Sequence, residues 1–405
     1  MSSKKSLLFY FMFFTALILA GCRKDELDNK PIQSIKIAAL YSETGEIAYL
    51  GLSSRAAIQI AVNEINNDFS QRNIPFRFDL EVYNTQLSPQ LALSAMESIA
   101  NSGCKIVVGP QTSAELEEVK AIADSLGILV ISPSSTASSL SIPNDMIFRF
   151  APGDQIAGQA LANTMTQQGK QAIIAISRND IGSLGLRDAV TNYFTASGGQ
   201  VITGDTFDGT TTDFTQVLAN VKSQILNLSS TYSSDQIGVI TTSFDETIAM
   251  FNQAANDPVL YSVDWYGGDG FFRNQSLLSN TLASQFAVNS NFFSLGFSLP
   301  EGNSSQYASL ISQIYSMSGF EADALTLCSY DIMNVIGKMI EGNCGVPSGA
   351  QNLKDKFFEI AVQHNGVTGI TALNENGDRE NGIFDYWGVQ DNGGSFQWYF
   401  IGKSE

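Results

Sequence analysis

Histidine is almost missing from this chain, because His364 is its one example in 405 residues. Multi-histidine zinc sites are therefore excluded, and little room is left for catalysis by a Ser-His-Asp or Cys-His arrangement. The motifs Gly-x-Ser-x-Gly and Gly-x-x-x-x-Gly-Lys are missing too, as is a Gly-x-Gly-x-x-Gly after a strand. A lone histidine beside Asn365-Gly366 is predicted to be a surface loop residue. The sequence predicts no enzyme, no cofactor and no metal site; an exported hydrolase is the enzyme alternative.

Basic residues are also scarce, since 22 lysines and arginines face 40 aspartates and glutamates, for a net charge of -18. A surface this acidic repels phosphate backbones, so nucleic acid is not an expected partner. Beyond the leader, no apolar run is long enough to cross a bilayer.

The first 22 residues have the pattern of an export leader. Lys4-Lys5 precedes an apolar run from Leu7 to Leu19, which is followed by Ala-Gly-Cys22. Leu19-Ala-Gly-Cys22 resembles the bacterial lipobox, which implies cleavage after residue 21 and a lipidated Cys22. We expect residues 22–34 to form a tether and the protein to be extracytoplasmic, anchored by lipid to a bacterial membrane and facing the periplasm or the cell surface. The alternative is an ordinary secretory signal with a chance cysteine.

Three cysteines remain after lipidation of Cys22. Cys328 and Cys344 are a possible disulfide, although sequence cannot fix their geometry. Cys104 directly precedes a buried strand and is predicted to be a small buried hydrophobic residue.

Strand-like apolar runs alternate with helix-like segments from Ile35 onward, which is the βαβ rhythm of a parallel sheet with helices on both faces. The rhythm starts again close to Ala151. About 380 residues exceed one ordinary core, so the fold class is α/β with two doubly wound parallel-sheet lobes. The tail from Gly382 to Gly402 is predicted to form late strands of unassigned sheet.

Two polar turns follow neighbouring strands of the first unit, within Cys104–Ser113 and Gly127–Thr136. Such turns line the crevice at the carboxyl ends of parallel strands, where small ligands bind. Ser113, Ser134 and Thr136 would offer hydroxyl and backbone groups to a small polar molecule. Helix capping is the alternative explanation for each of them.

Asp269 lies in the glycine cluster Gly267–Gly270, after a predicted strand end. The cluster is either a glycine-permitted turn or a place where a ligand meets a carboxylate closely. A carboxylate in a cleft would pair with an ammonium group. Donors on one wall and an acid on the other select a molecule that carries both charges.

From Ile35 to the carboxyl terminus the chain resembles the type I periplasmic substrate-binding proteins, in particular the leucine/isoleucine/valine-binding branch. The resemblance is carried by Ser42-Glu-Thr-Gly45, the helix Ala56–Asn66, the two polar turns, Phe148-Arg149, and Gly369 with Asn374-Glu-Asn-Gly-Asp378.

The resemblance implies that Ser113, Ser134 and Thr136 meet the α-carboxylate of an amino acid and that Asp269 meets its amino group. Two aromatic positions of the family differ here, because Ile181 stands near the first and Phe244 keeps the ring of the second without its hydroxyl. Tyr49 and Leu50 occupy the loop that contacts the ligand side chain. The ligand's side chain is therefore left open.

The family's fold also implies closure about three crossings, placed near Ala151, Asn289 and Ala372. The predicted first lobe is 35–150 plus 290–371, and the second is 151–289 plus 372–405. The implied partners are a branched-chain or related amino acid and an ABC permease, with the protein itself a monomer. A ligand-sensing lipoprotein of the same fold is the alternative.

Overall fold

The computed structural model describes residues 31–404. The predicted signal peptide, Cys22 and most of the tether lie outside these residues. Within them, no helix is long and apolar enough to cross a membrane.

Fifteen strands are present in the described part of the chain. In chain order they are β1 (Gln33–Tyr41), β2 (Phe76–Asn84), β3 (Ile106–Val108), β4 (Leu129–Ser132), β5 (Ile147–Pro152), β6 (Ala172–Arg178), β7 (Gln200–Phe207), β8 (Ile237–Thr242), β9 (Asp264–Gly267), β10 (Phe293–Phe297), β11 (Asn365–Gly366), β12 (Gly369–Ile370), β13 (Asp378–Arg379), β14 (Phe384–Asp391) and β15 (Phe396–Lys403).

The described part of the chain also contains thirteen α-helices. They are α1 (Ala48–Gln71), α2 (Pro89–Asn101), α3 (Ser113–Leu126), α4 (Asp154–Gln167), α5 (Ile181–Ala196), α6 (Thr215–Leu228), α7 (Glu246–Ala254), α8 (Gln275–Leu278), α9 (Thr281–Asn289), α10 (Asn303–Gln306), α11 (Ala308–Ser318), α12 (Ala324–Asn343) and α13 (Ala350–Ala361).

The strands form two large sheets, which confirms the predicted α/β fold with two parallel-sheet lobes. The first sheet has the order β13-β5-β4-β3-β1-β2, with every neighbour parallel. The second has the order β15-β14-β10-β9-β8-β6-β7, parallel from β7 to β10 and antiparallel beyond. The predicted late strands are β14 and β15, and both join the second sheet.

Each sheet reverses its strand order once, between β1 and β3 in the first and between β6 and β8 in the second. Turns diverge at such a switch point and leave a crevice at the carboxyl ends of the strands. The strands beside the crevice are buried on both faces, as Ile106–Val108 and Ile237–Thr242 show. Sheet order thus fixes where each lobe can receive a ligand.

Two strands lie on the far side of the predicted lobe boundaries. β10 pairs with β9 in the second sheet, although residues 290–371 were expected in the first lobe. β13 pairs with β5 in the first sheet, although residues 372–405 were expected in the second lobe. Because these pairings hold the strands in their sheets, the crossings expected near Asn289 and Ala372 lie after Phe297 and after Arg379. The first crossing follows β5, close to Ala151.

Two smaller expectations are wrong. Cys328 is a free, buried thiol inside α12, whose carboxyl-terminal cap is Cys344. The two lie sixteen positions apart along the helix, about 24 Å, far beyond the roughly 7 Å between Cα atoms that a disulfide allows. His364 is buried rather than on the surface, with Nδ1 3.2 Å from Lys338 Nζ. Cys104 is buried, as predicted, and its thiol is free.

Candidate functional site

A cavity of about 210 Å³ lies between the two lobes, at the carboxyl ends of their parallel strands. Seven of the eight residues predicted to contact a ligand line it, although they come from five separate segments. They are Tyr49, Leu50, Ser113, Ser134, Thr136, Phe244 and Asp269. The two switch points therefore face each other across one cleft.

Ile181 is the predicted residue that does not line this cavity. It begins α5 and packs against the core of the first lobe, while its neighbours Asp180 and Gly182 line the cleft. Ile181 therefore contacts the other lobe and does not reach the cavity.

The first-lobe wall is built around the start of α3. Thr112 is the N-cap, and it forms a capping box in which its hydroxyl accepts from Glu115 N–H while Glu115 accepts from the Thr112 backbone. Ser113 and Ala114 follow at the first two helical positions and line the cavity. The first N–H groups of a helix have no partner within it, and the helix dipole adds partial positive charge there. This wall is suited to an anionic group such as a carboxylate.

The serine hydroxyls of this wall also hold the two turns together. Ser113 Oγ accepts from Thr136 N–H at 3.3 Å and Ala137 N–H at 3.2 Å, and it lies 2.9 Å from Ser135 Oγ. Ser134 Oγ donates to the Gln111 carbonyl at 2.8 Å. Because its one proton is used in this bond, the Ser134 hydroxyl can only accept a hydrogen bond from a ligand in the cavity.

Asp269 stands on the opposite wall, at the start of the 3₁₀ turn Asp269–Phe271 that follows β9. Burial raises the pKa of its carboxyl, and the charge of Asp180 adds to that rise, while the N–H groups of Asp269 and Gly270 oppose it. The glycine after it is required by space, because a Cβ on Gly270 would lie 2.9 Å from the Ser243 carbonyl oxygen. A cation in the cleft would relieve the desolvated carboxylate.

Sequence reasoning missed Arg178, the last residue of β6, although it too stands at the carboxyl end of a strand. Its guanidinium lies 5.0 Å from the centre of the Phe244 ring. Arg178 Nη1 is 2.8 Å from Glu46 Oε2, and Arg178 Nε is 3.0 Å from Asp180 Oδ2. Glu246 is a third acid, 3.5 Å away. Because carboxylates surround this cation, it offers little attraction to a further anion.

Tyr49 lines both this cavity and a second chamber of about 530 Å³. Burial raises the pKa of its phenol, and the charges of Asp323, Asp245 and Asp269 raise it further. Tyr49 therefore remains neutral where it lines the two spaces. Among residues 31–404, no cluster of three or more His, Cys, Asp or Glu side chains is placed to hold a metal ion.

A family model described as "Periplasmic binding protein" matches residues 34–257, more than half of the chain. This chain is a type I periplasmic binding protein. Its relatives include proteins named for branched-chain amino acids, and the sequence motifs already carried that resemblance.

Two curated relatives are similar to this chain over very different lengths. Over 410 residues the binding protein is 26% identical to the uncharacterized protein MJ1266 of Methanocaldococcus jannaschii, covering 95% of this chain and 94% of that one. It is 25% identical over 211 residues to the Leu/Ile/Val-binding protein of Escherichia coli, covering 51% of this chain and 57% of that protein. The alignment thus spans little more than half the length of that named relative.

Solved structures share the fold. The branched-chain amino acid transporter substrate binding protein LivJ of Streptococcus pneumoniae, in complex with isoleucine, has a TM-score of 0.69 at 18% identity and covers 91% of this chain and 99% of its own. A solute binding protein of R. palustris in complex with 4-hydroxybenzoate has a TM-score of 0.71 at 13% identity and covers 92% and 97%. At such identities the likeness concerns the fold alone.

Proposed function

We propose that this binding protein captures a small zwitterion, an α-amino acid of the branched-chain or a related type, outside the cytoplasm and delivers it to an ABC permease. In this proposal it is a lipoprotein anchored through Cys22, acts as a monomer, and closes about its three crossings when ligand bridges the lobes. A ligand-sensing lipoprotein of the same fold is the second candidate, and it would use the same cleft.

The observation that carries the proposal is the opposition of Asp269 to the start of α3 across one cavity. The helix start is suited to the ligand's carboxylate, and the acid is suited to its ammonium group. Tyr49, Leu50 and Phe244 supply apolar surface between them, which fits an aliphatic side chain. Names of the relatives point to the same ligand class.

Aromatic carboxylic acids are the competing ligand class, because structural neighbours hold benzoate and 4-hydroxybenzoate. Such ligands have no ammonium group. A buried carboxylate facing them would stay without a charge partner, which is costly in a desolvated cleft. Asp269 therefore favours the amino acid over the aromatic acid.

The test uses the purified full chain in detergent, unfolded and refolded first to remove bound ligand. A thermal-shift screen is followed by tryptophan fluorescence, which measures ligand binding. The panel is the proteinogenic amino acids, small peptides and amides, nucleosides, 4-methylpentanoate (leucine without its amino group), benzoate and 4-hydroxybenzoate. A ligand at one hundred times its dissociation constant adds about 2.7 kcal/mol of stability, which raises the melting temperature by a few degrees. We expect leucine or a related amino acid to shift the transition and its deaminated analogue to fail.

Asp269→Asn provides the matched variant, and Asp188→Asn, an exposed carboxylate on α5 of the same lobe, provides the control. We expect the first to weaken amino acid binding at least tenfold, about 1.4 kcal/mol, and the second to leave it unchanged. Equal affinity in both variants, or a response to benzoate alone, would contradict the assignment of Asp269 to an ammonium group.

A further inference from the structure

Asp154 is a buried carboxylate that stands where the chain first crosses between the lobes. It is the first residue of α4, two positions after β5, and is 1% exposed. Its Oδ2 atom has no hydrogen-bond partner among the described residues. A desolvated carboxylate with an unsatisfied oxygen is costly, so its position calls for a physical reason.

The surroundings hold Asp154 between the second polar turn and α5. Its backbone N–H donates to the Thr136 carbonyl at 2.9 Å, and hydrogen bonding from the Thr136 side chain and the Ser138 N–H lowers the pKa of its carboxyl. Gly185 on α5 leaves the room, because a Cβ there would lie 2.3 Å from Asp154 Oδ2. The carboxylate is thus fixed directly behind Thr136, which lines the ligand cavity.

Two charged residues act on this carboxyl group. Burial and then the negative charge of Asp269 raise the pKa of Asp154 to about 7, and they outweigh the lowering effects of Thr136, Arg149 and Ser138. Arg149 is already engaged, because Nε lies 2.6 Å from Asp378 Oδ1 and Nη1 donates to the Ala137 carbonyl at 2.5 Å. Asp154 therefore takes up a proton near neutral pH.

The protonation state of Asp154 decides what the Thr136 hydroxyl can do. An ionised carboxylate only accepts hydrogen bonds, so Thr136 must donate its one proton to Asp154. A protonated Asp154 can donate to Thr136 Oγ1 instead, which frees the threonine proton for the cavity. Ser134 already donates its hydroxyl proton to the Gln111 carbonyl. The Thr136 hydroxyl is therefore needed as a donor to an anion at this wall.

We propose that Asp154 is a positioning residue, which in its protonated form donates to Thr136 and turns the Thr136 hydroxyl toward the carboxylate of the bound amino acid. This inference rests on the proposed function and deepens it, because ligand capture becomes linked to proton uptake. The protein binds its amino acid more tightly at mildly acidic pH than at alkaline pH.

The binding experiment uses L-leucine as probe and calorimetric titration of the full chain between pH 5.5 and 8.5. We expect the affinity of the unmodified protein to fall about tenfold across this range. Asp154→Asn carries an amide that donates at every pH, so its affinity is expected to stay constant. Thr136→Val has no hydroxyl to turn, so it is expected to bind weakly with no pH dependence. A pH-independent affinity in the unmodified protein overturns the proposal.

A second measurement does not depend on any ligand. Carbon-13 NMR of the aspartate carboxyl groups, with the Asp154 signal identified by its loss in Asp154→Asn, follows the titration of this one group. We expect a midpoint near pH 7, and a higher midpoint in Thr136→Val because the opposing hydrogen bond is gone. A midpoint below pH 5 overturns the proposal. A midpoint near 7 that moves in Thr136→Val, in a protein that binds no amino acid at any pH, supports the coupling of Asp154 to Thr136 and overturns the ligand assignment instead.

Discussion

Glu246 is a second buried carboxyl group close to the cleft, and it couples stability to pH. It begins α7 with its side chain 2% exposed and lies 3.5 Å from Arg178 Nη1. Burial raises the pKa of Glu246 from 4.5 to about 7, and the charge of Arg178 opposes the rise. The folded protein therefore binds more protons than the unfolded chain between about pH 4.5 and pH 7, and the stability contributed by this group falls as pH rises through that window.

Glu246→Gln removes this titration and keeps the shape of the side chain. We expect the difference in unfolding free energy, variant minus unmodified protein, to become more positive by roughly 2 to 3 kcal/mol between pH 5 and pH 8. Urea unfolding at several pH values measures it. Asp213→Asn is the control, since Thr215 lowers the pKa of the exposed Asp213 and its titration lies below this range.

The sequence predicted the cleft residues where they directly follow a strand, because ligands bind at the carboxyl ends of parallel strands. Ser113, Ser134, Thr136 and Asp269 all follow buried strands, and all line one cavity. Arg178 obeys the same rule and was overlooked. Its partner Glu46 lies in the other lobe, so the pair becomes visible only when both lobes are assembled.

The start of α3 is the element on which the first-lobe wall depends. Thr112→Ala removes the N-cap hydroxyl and is expected to lower the unfolding free energy by about 1 kcal/mol. Because Ser113 and Ala114 follow directly, amino acid affinity is expected to fall as well. Denaturant unfolding and calorimetric titration measure the two effects.

Asn280→Ala is a matched control for that variant. Asn280 is the N-cap of α9, where its side chain accepts from Ala283 N–H at 3.0 Å, and it does not line the cavity. We expect a similar loss of stability without a change in affinity. Equal loss of affinity in both variants would show that α3 acts through general stability and has no special role at the ligand.

Elements were predicted with uneven success for a physical reason. The start of α2 has a clear local signal, because Ser88 caps it and Pro89 fixes its first turn. β13 has two residues and no hydrophobic period, so its place in the first sheet depends on pairing with β5. Such a strand carries no local signal.

The proposed closure would depend on contacts that join the lobes across the cleft. Arg178 of the second lobe and Glu46 of the first are paired at 2.8 Å, with side chains 18% and 29% exposed. A partly buried pair of this kind contributes about 1 kcal/mol. It exists only while the lobes are close, so it favours the closed form.

Glu46→Gln is therefore expected to weaken amino acid binding about fivefold and to increase the radius of gyration of the ligand-free protein, measured by small-angle X-ray scattering. Glu43→Gln is the control, because Glu43 pairs with Arg55 at 3.0 Å within the first lobe. If both variants behave alike, the Arg178–Glu46 pair does not control closure.

The boundaries of the lobes depend on long-range strand pairing, which the local sequence does not specify. The resemblance to the family placed the second crossing near Asn289, yet the chain continues into β10 before it leaves the second sheet. No local residue pattern marks that point. The identity of a strand's neighbour is decided by the whole sheet.

The three crossings determine what a single proteolytic cut does to the folded protein. Each lobe contains strands from separate stretches of the chain, and connections after β5, β10 and β13 all run between the sheets. A single cut at any one of them leaves two covalent links and both sheets intact. A nicked molecule is therefore expected to migrate as one particle under native conditions and to separate into fragments only when denatured.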